Sequence, residues 1–159
     1  MAPWQVTFHV IPHRAMKAAP RTLTAELLRA TDWWGVGVVP PDLRERLASV
    51  AGPAARTAPG VERWGNAEGN GVDVHLVGTR VARIIAYVDV RKLDSKFGAS
   101  LLGFVKSAQS VLVREDGWVA EPTIGAFSGA LRGDPAWKYA AEPAIARIVR
   151  DQSAEDTDE

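Results

Sequence analysis

The residues best suited to chemistry lie between positions 73 and 91, where Asp73, His75, Arg83, Tyr87, Asp89 and Arg91 all occupy odd positions of a strongly β-patterned stretch. Histidine and aspartate can supply a general acid and base, and arginine can hold an anion. Asp73 and His75 are two apart, which on one strand guarantees a shared face and nothing about mutual contact. Cross-strand charge pairing on a solvated sheet face explains the same residues without any reaction. No catalytic residue is therefore assigned, and a non-enzymatic role is favoured over an enzyme. The six residues enter a candidate binding set together with Trp33 and Trp34.

Other arrangements that could carry chemistry fail on spacing. His9 and His13 are four apart, which suits a metal on a helix, but Pro12 and the alternating residues before it place both on extended chain. His75 could complete a three-histidine site only if the N-terminal strand lay beside the 72–91 segment, so no metal is assigned. Gly35-Val36-Gly37-Val38-Val39-Pro40 begins like a dinucleotide fingerprint, yet proline replaces the last glycine and no long strand precedes it. In Gly125-Ala126-Phe127-Ser128-Gly129 the serine stands one place too late for a nucleophile elbow. With no cysteine in the chain, thiolate catalysis, disulfides and sulfur-ligated zinc are excluded. No cofactor is expected.

Six tryptophans stand out in 159 residues. If residues 33–39 are extended, Trp33 and Trp34 point to opposite sides, so one is exposed or covered by another element. Exposed tryptophan is enriched in binding hot spots, which makes this pair a pointer to a partner surface. Burial of the second ring under the helix that follows Pro40 is the competing arrangement. The Gly65 to Gly71 loop, with Asn66, Glu68 and Asn70, reads as turn chemistry.

These residues must be positioned by a scaffold that the pattern also suggests. Trp4, Val6, Phe8 and Val10 alternate with polar residues as a half-buried strand ending at Pro12. Thr22 is placed as the cap of a short helix carrying Leu23 and Leu27, which ends at Thr31 and Asp32. A helix after Pro40-Pro41 carries Leu43, Leu47 and Val50 and stops at Gly52. Residues 53–60 read as a connection. The hairpin from Val72 to Arg91 is then predicted in the register that joins Val72, Val74 and Leu76 with Ala82, Ile84, Ala86, Val88 and Val90 on one apolar face. That register demands a loop of odd length and sets His75 near Arg83. Asp94 or Ser95 caps a helix with Phe97, Leu101 and Phe104 on one stripe, and Asp116-Gly117 turns a second, shorter hairpin. Thr123 caps a helix carrying Ile124, Phe127 and Leu131, and Asp134-Pro135 opens another with Trp137 inward. Helices and strands do not alternate strictly. The predicted fold is therefore α+β, a mainly antiparallel sheet with helices packed on one face, forming one domain over residues 1–150.

The last nine residues hold five carboxylates and no base, while residues 1–150 carry nineteen bases against fourteen acids. The 151–159 segment is expected to be a disordered, solvating acidic tail. The N-terminal sequence fits neither a signal nor a transit peptide, and the apolar runs are too short to cross a bilayer, so a cytoplasmic location is expected. The modest basic excess supports nucleic-acid binding weakly, because no recognition motif accompanies it. The leading expectation is a protein-binding domain of inhibitor, immunity or accessory type, acting through the sheet face and exposed aromatics, with self-association also compatible. The alternative is a small-molecule-binding domain or enzyme with its site around His75.

Overall fold

The computed structural model describes residues 1–141. The acidic tail and the segment containing Ile145, Ile148 and Val149 lie outside the described residues. The chain begins with β1 (Gln5–Pro12), runs through the short helices α1 (His13–Lys17) and α2 (Ala25–Ala30) and a 3₁₀ turn at Trp33–Gly35, and enters α3 (Leu43–Ala51). Four strands follow: β2 (Ala54–Ala58), β3 (Val61–Gly65), β4 (Gly71–Val77) and β5 (Arg80–Asp89). Then come α4 (Ser95–Ser107), β6 (Ser110–Arg114), β7 (Val119–Ala120), α5 (Ile124–Arg132), a 3₁₀ turn at Pro135–Trp137 and α6 (Lys138–Ala141).

The strands form one seven-stranded sheet in the order β2-β3-β4-β5-β1-β6-β7, with every neighbouring pair antiparallel. The first strand thus occupies an inner position, between β5 and β6. All eight of its residues are buried, including Gln5, Thr7 and His9, where the alternation alone implied a half-solvated strand. The predicted fold class holds: an α+β, mainly antiparallel sheet in a single domain. The longer helices lie over the face that carries Val6, Phe8 and Val10. Phe127 of α5 meets Phe8 with ring centroids 5.6 Å apart, and α3 and α4 pack on each other and on strands of the sheet.

The main hairpin adopts the apolar register through a device that the turn alone did not suggest. Val72 pairs with Ala86 and Val74 with Ile84, whereas Val77 pairs with Arg80 across a two-residue turn at Gly78 and Thr79. A bulge between His75 and Leu76 absorbs the odd residue, Ala82, which is fully buried. One extra residue on β5 reconciles a tight turn with a core-facing register. His75 faces Arg83, as that register requires.

Several local expectations are corrected. The predicted connection over residues 53–60 instead holds β2 and its turn into β3, a hairpin with a bulge between Arg56 and Ala58 and with Trp64 buried on β3. Proline, alanine and glycine hide the strand pattern there, which β2 can tolerate as an edge strand. The segment after Asp32 is a 3₁₀ turn. In that geometry both adjacent indoles turn inward: Trp33 donates to the Leu28 carbonyl at 3.0 Å and Trp34 to the Val10 carbonyl at 2.9 Å. Trp34 thereby bonds the last β1 residue that pairs with β5. The cap of α2 is Thr24, whose hydroxyl accepts from Leu27 N–H, and Leu28 is its buried residue. Ile124 is exposed, leaving Phe127, Ala130 and Leu131 as the inward face of α5. Asp94 caps α4 by accepting from the backbone N–H groups of Lys96 and Phe97, and the Phe97, Leu101 and Phe104 stripe is buried. Full burial of Leu101 contributes roughly 2–3 kcal/mol.

Candidate functional site

The face opposite Phe8 carries Gln5, Thr7 and His9 of β1 and Arg83, Ile85, Tyr87 and Asp89 of β5 together with Arg63, Asp73 and His75. At one end of it, the 65–71 loop folds across the sheet. The Gln5 amide donates to the Ala67 and Gly69 carbonyls at 3.1 and 2.8 Å, and the Asn70 side-chain oxygen accepts from Asp89 N–H at 2.8 Å. Gly65 makes this path possible: its φ is +92°, and a Cβ there would stand 2.5 Å from the Asn70 carbonyl oxygen. Asp89 accepts from the backbone and guanidinium of Arg91, whose plane lies 3.8 Å over the Trp4 ring. Asp89 and Arg91, both in the candidate set, thus anchor a loop, and their hydrogen bonding is engaged within the chain.

In the middle of the face, Arg63 and Asp73 are opposite one another on β3 and β4 and form a two-pronged ion pair, with Nε and Nη2 donating at 2.6 and 2.7 Å. Asp73 is buried. The hydrogen bonds to Asp73 raise the Arg63 pKa, which keeps the pair charged. Beside it, burial first and then the Asp73 charge push the Tyr87 phenol up to about 12, so its O–H stays neutral and able to donate.

The other half of the face is concave. Thr7 and His9 of β1, His75 of β4, and Arg83, Ile85 and Tyr87 of β5 form the floor of a cleft of about 390 Å³. Met1, Arg29 of α2 and Glu115 complete its wall. His9 is 1% exposed, and its Nε2 lies 2.8 Å from Glu115, which is also ion-paired with Arg29. Burial dominates the titration of His9 and lowers its pKa below the ordinary 6.5, although Glu115 pulls the other way. With the ring neutral, the network assigns the proton to Nε2, donating to the carboxylate. Nδ1 is then an acceptor, and it is buried with no hydrogen-bond partner. The His75 pKa is also lowered, by burial first and by Arg83 next. Arg83 is half-buried and, among the described residues, makes no ion pair, hydrogen bond or ring contact.

Of the candidate set, the cleft gathers His75, Arg83 and Tyr87, with Asp73 adjoining. Trp33 and Trp34 are 4% and 2% exposed and belong to the core, so neither presents an aromatic surface. Their glycine neighbours also have packing roles: a Cβ on Gly37 would meet Pro12 Cγ at 2.7 Å. His13 is exposed on α1, away from His9, and the described residues contain no cluster of three or more groups able to hold a metal. Arg29 and Glu115 have no signal in the sequence, and His9 is legible there only as a candidate metal ligand with His13 and His75. His9 and Glu115 are 106 positions apart, and Glu115 reads as the opening of an Asp-Gly turn. The only available signal was a histidine on the polar side of a β-patterned run.

The described residues contain no helix long and apolar enough to cross a membrane. Comparison of the chain with protein-family models, with curated proteins and with solved structures gives no match.

Proposed function

We propose that this α+β domain is a non-enzymatic binding protein, of inhibitor, immunity or accessory type, which engages a partner protein through the face of the sheet carrying Asp73, His75, Arg83 and Tyr87. The observation that carries this reading is the half-buried Arg83, unpaired among the described residues, in a concave surface beside Tyr87. Arginine and tyrosine are the residue types that dominate binding hot spots, and a recessed position lets a partner desolvate them. The test is capture of binding proteins by the intact chain and by the Arg83→Ala/Tyr87→Ala double variant, followed by hydrogen exchange on the complex. Loss of a partner in the variant, with exchange protection on β4 and β5, is the expected result. A partner held equally by both chains, with protection elsewhere, overturns the reading.

The His9–Glu115 pair favours a second reading, a small-molecule site or enzyme centred on His75. A carboxylate that orients a buried imidazole beside a cleft is an arrangement used in general base catalysis. Here, however, the Nε2 proton is directed at Glu115, and His9 itself is almost fully covered. Binding without chemistry is the simpler use of these groups.

A further inference from the structure

The cleft contains a charge that the described chain does not neutralise. Arg63 and Arg114, two covered arginines of the sheet, each donate two hydrogen bonds to one aspartate. Arg83 has no such partner among the described residues, and a half-covered guanidinium without a counter-charge is free to take an anion from outside. Arg29 brings a second guanidinium to the wall, but Glu115 engages it. The side chains of the lining therefore hold two guanidinium groups against one carboxylate, with two imidazoles whose pKa burial lowers.

We propose that this cleft is a binding site for a single carboxylate group, held by Arg83 with His75 as the second donor from the facing strand. The proposal rests on the binding role of the same face and specifies the chemistry of what is bound. A guanidinium offers two parallel N–H donors that match the two carboxylate oxygens. One surplus positive charge suits a monoanion. The cleft, at about 390 Å³, has room for more than the carboxylate, so the body that bears it lies over Ile85 and the Tyr87 ring. Such a carboxylate comes either from a small organic acid or from an acidic side chain of a partner protein.

A bound carboxylate changes the field at both histidines. His75 responds to Arg83, Asp73, His9 and Arg63, and His9 responds to Glu115, Arg29 and Arg83. A negative charge docked on Arg83 cancels a cation that disfavours protonation of both rings, and the effect is larger at His75, which faces Arg83 directly.

The test follows the ring signals of the three histidines of the full chain by NMR through a pH titration. Chloride at constant ionic strength is the baseline, and the probes are acetate, succinate and a blocked tripeptide with a central glutamate. The expected result is a saturable upward shift of the His75 midpoint with at least one probe, a smaller one at His9 and none at His13. Arg83→Gln, with histidine signals that remain dispersed as in the native fold, weakens binding by roughly tenfold or more, and Arg83→Lys recovers part of it. Tighter binding of the free acids assigns a small-molecule ligand, and tighter binding of the tripeptide assigns a protein carboxylate. No saturable shift beyond chloride with any probe, or unchanged affinity in a folded Arg83→Gln chain, overturns the proposal. A protein partner captured through this face in the absence of any carboxylate response removes the proposal and leaves the broader binding role intact.

Discussion

Asp73 and Arg83 lie on paired strands of one sheet face, yet the chain treats the two charges in opposite ways. Asp73 is buried, but Arg63 answers it with two short hydrogen bonds, and Tyr87 stands alongside. Arg83 is half-buried and faces His75, with no ion-pair partner among the described residues. The loop end of the face resembles the Asp73 half: Gln5, Asn70, Asp89, Arg91 and Trp4 form a closed set of contacts. A polar cluster closed in this way is structural, since each group replaces the water lost by another. A half-covered charge without a partner contributes little to folding, and that separates the cleft from the rest of the face.

Mutations can break this contrast, and the largest effect is expected at the closed cluster. Asp73→Ala leaves Arg63 half-covered and unpaired, and a loss of about 2–3 kcal/mol is expected in urea unfolding. A loss below about 0.5 kcal/mol would mean that the pair is no more structural than a surface ion pair. At the boundary between the regions, Glu115→Ala removes the acceptor for His9 and the partner of Arg29. It should cost about 1–2 kcal/mol and shift the His9 ring signals. An unchanged His9 spectrum would contradict the hydrogen bond.

The cleft also predicts a pH dependence. Both His9 and His75 titrate below the ordinary 6.5 in the folded chain, so the unfolded chain binds protons first as the pH falls. Stability should decline from about pH 7 downward and level once the folded histidines are also protonated. Asp42 and Asp116, held below their ordinary 3.8 by Arg46 and Arg114, lose their contribution only at lower pH. Urea midpoints measured between about pH 7.5 and 5 should therefore fall, and less steeply in His75→Gln. A flat profile across that range would contradict burial of the two imidazoles.

Much of the scaffold was legible because its signals are local. The caps Asp94 and Thr123, the stops at Gly52 and Gly133, and the apolar register of the main hairpin all follow from neighbouring residues. β2 was hidden because its residues carry no alternating apolar pattern. The inward turn of both Trp33 and Trp34 was hidden because it depends on a 3₁₀ geometry and on carbonyls supplied by other elements. The site was half legible. His75, Arg83 and Tyr87 share a face by strand parity, whereas His9, Arg29 and Glu115 join them only because β1 is inserted between β5 and β6. Long-range strand order leaves no mark on local periodicity.

The smallest stability effect is expected at Arg83. Arg83→Met keeps the unbranched stem, though not the full length, of the side chain and removes the charge. Urea unfolding of this variant, read beside its affinity for the captured partner or the carboxylate probes, tests the central claim most directly. The predicted result is a stability within about 0.5 kcal/mol of the parent chain together with loss of binding. A loss of about 2 kcal/mol with binding retained would instead make Arg83 a structural residue like Arg63 and contradict the claim.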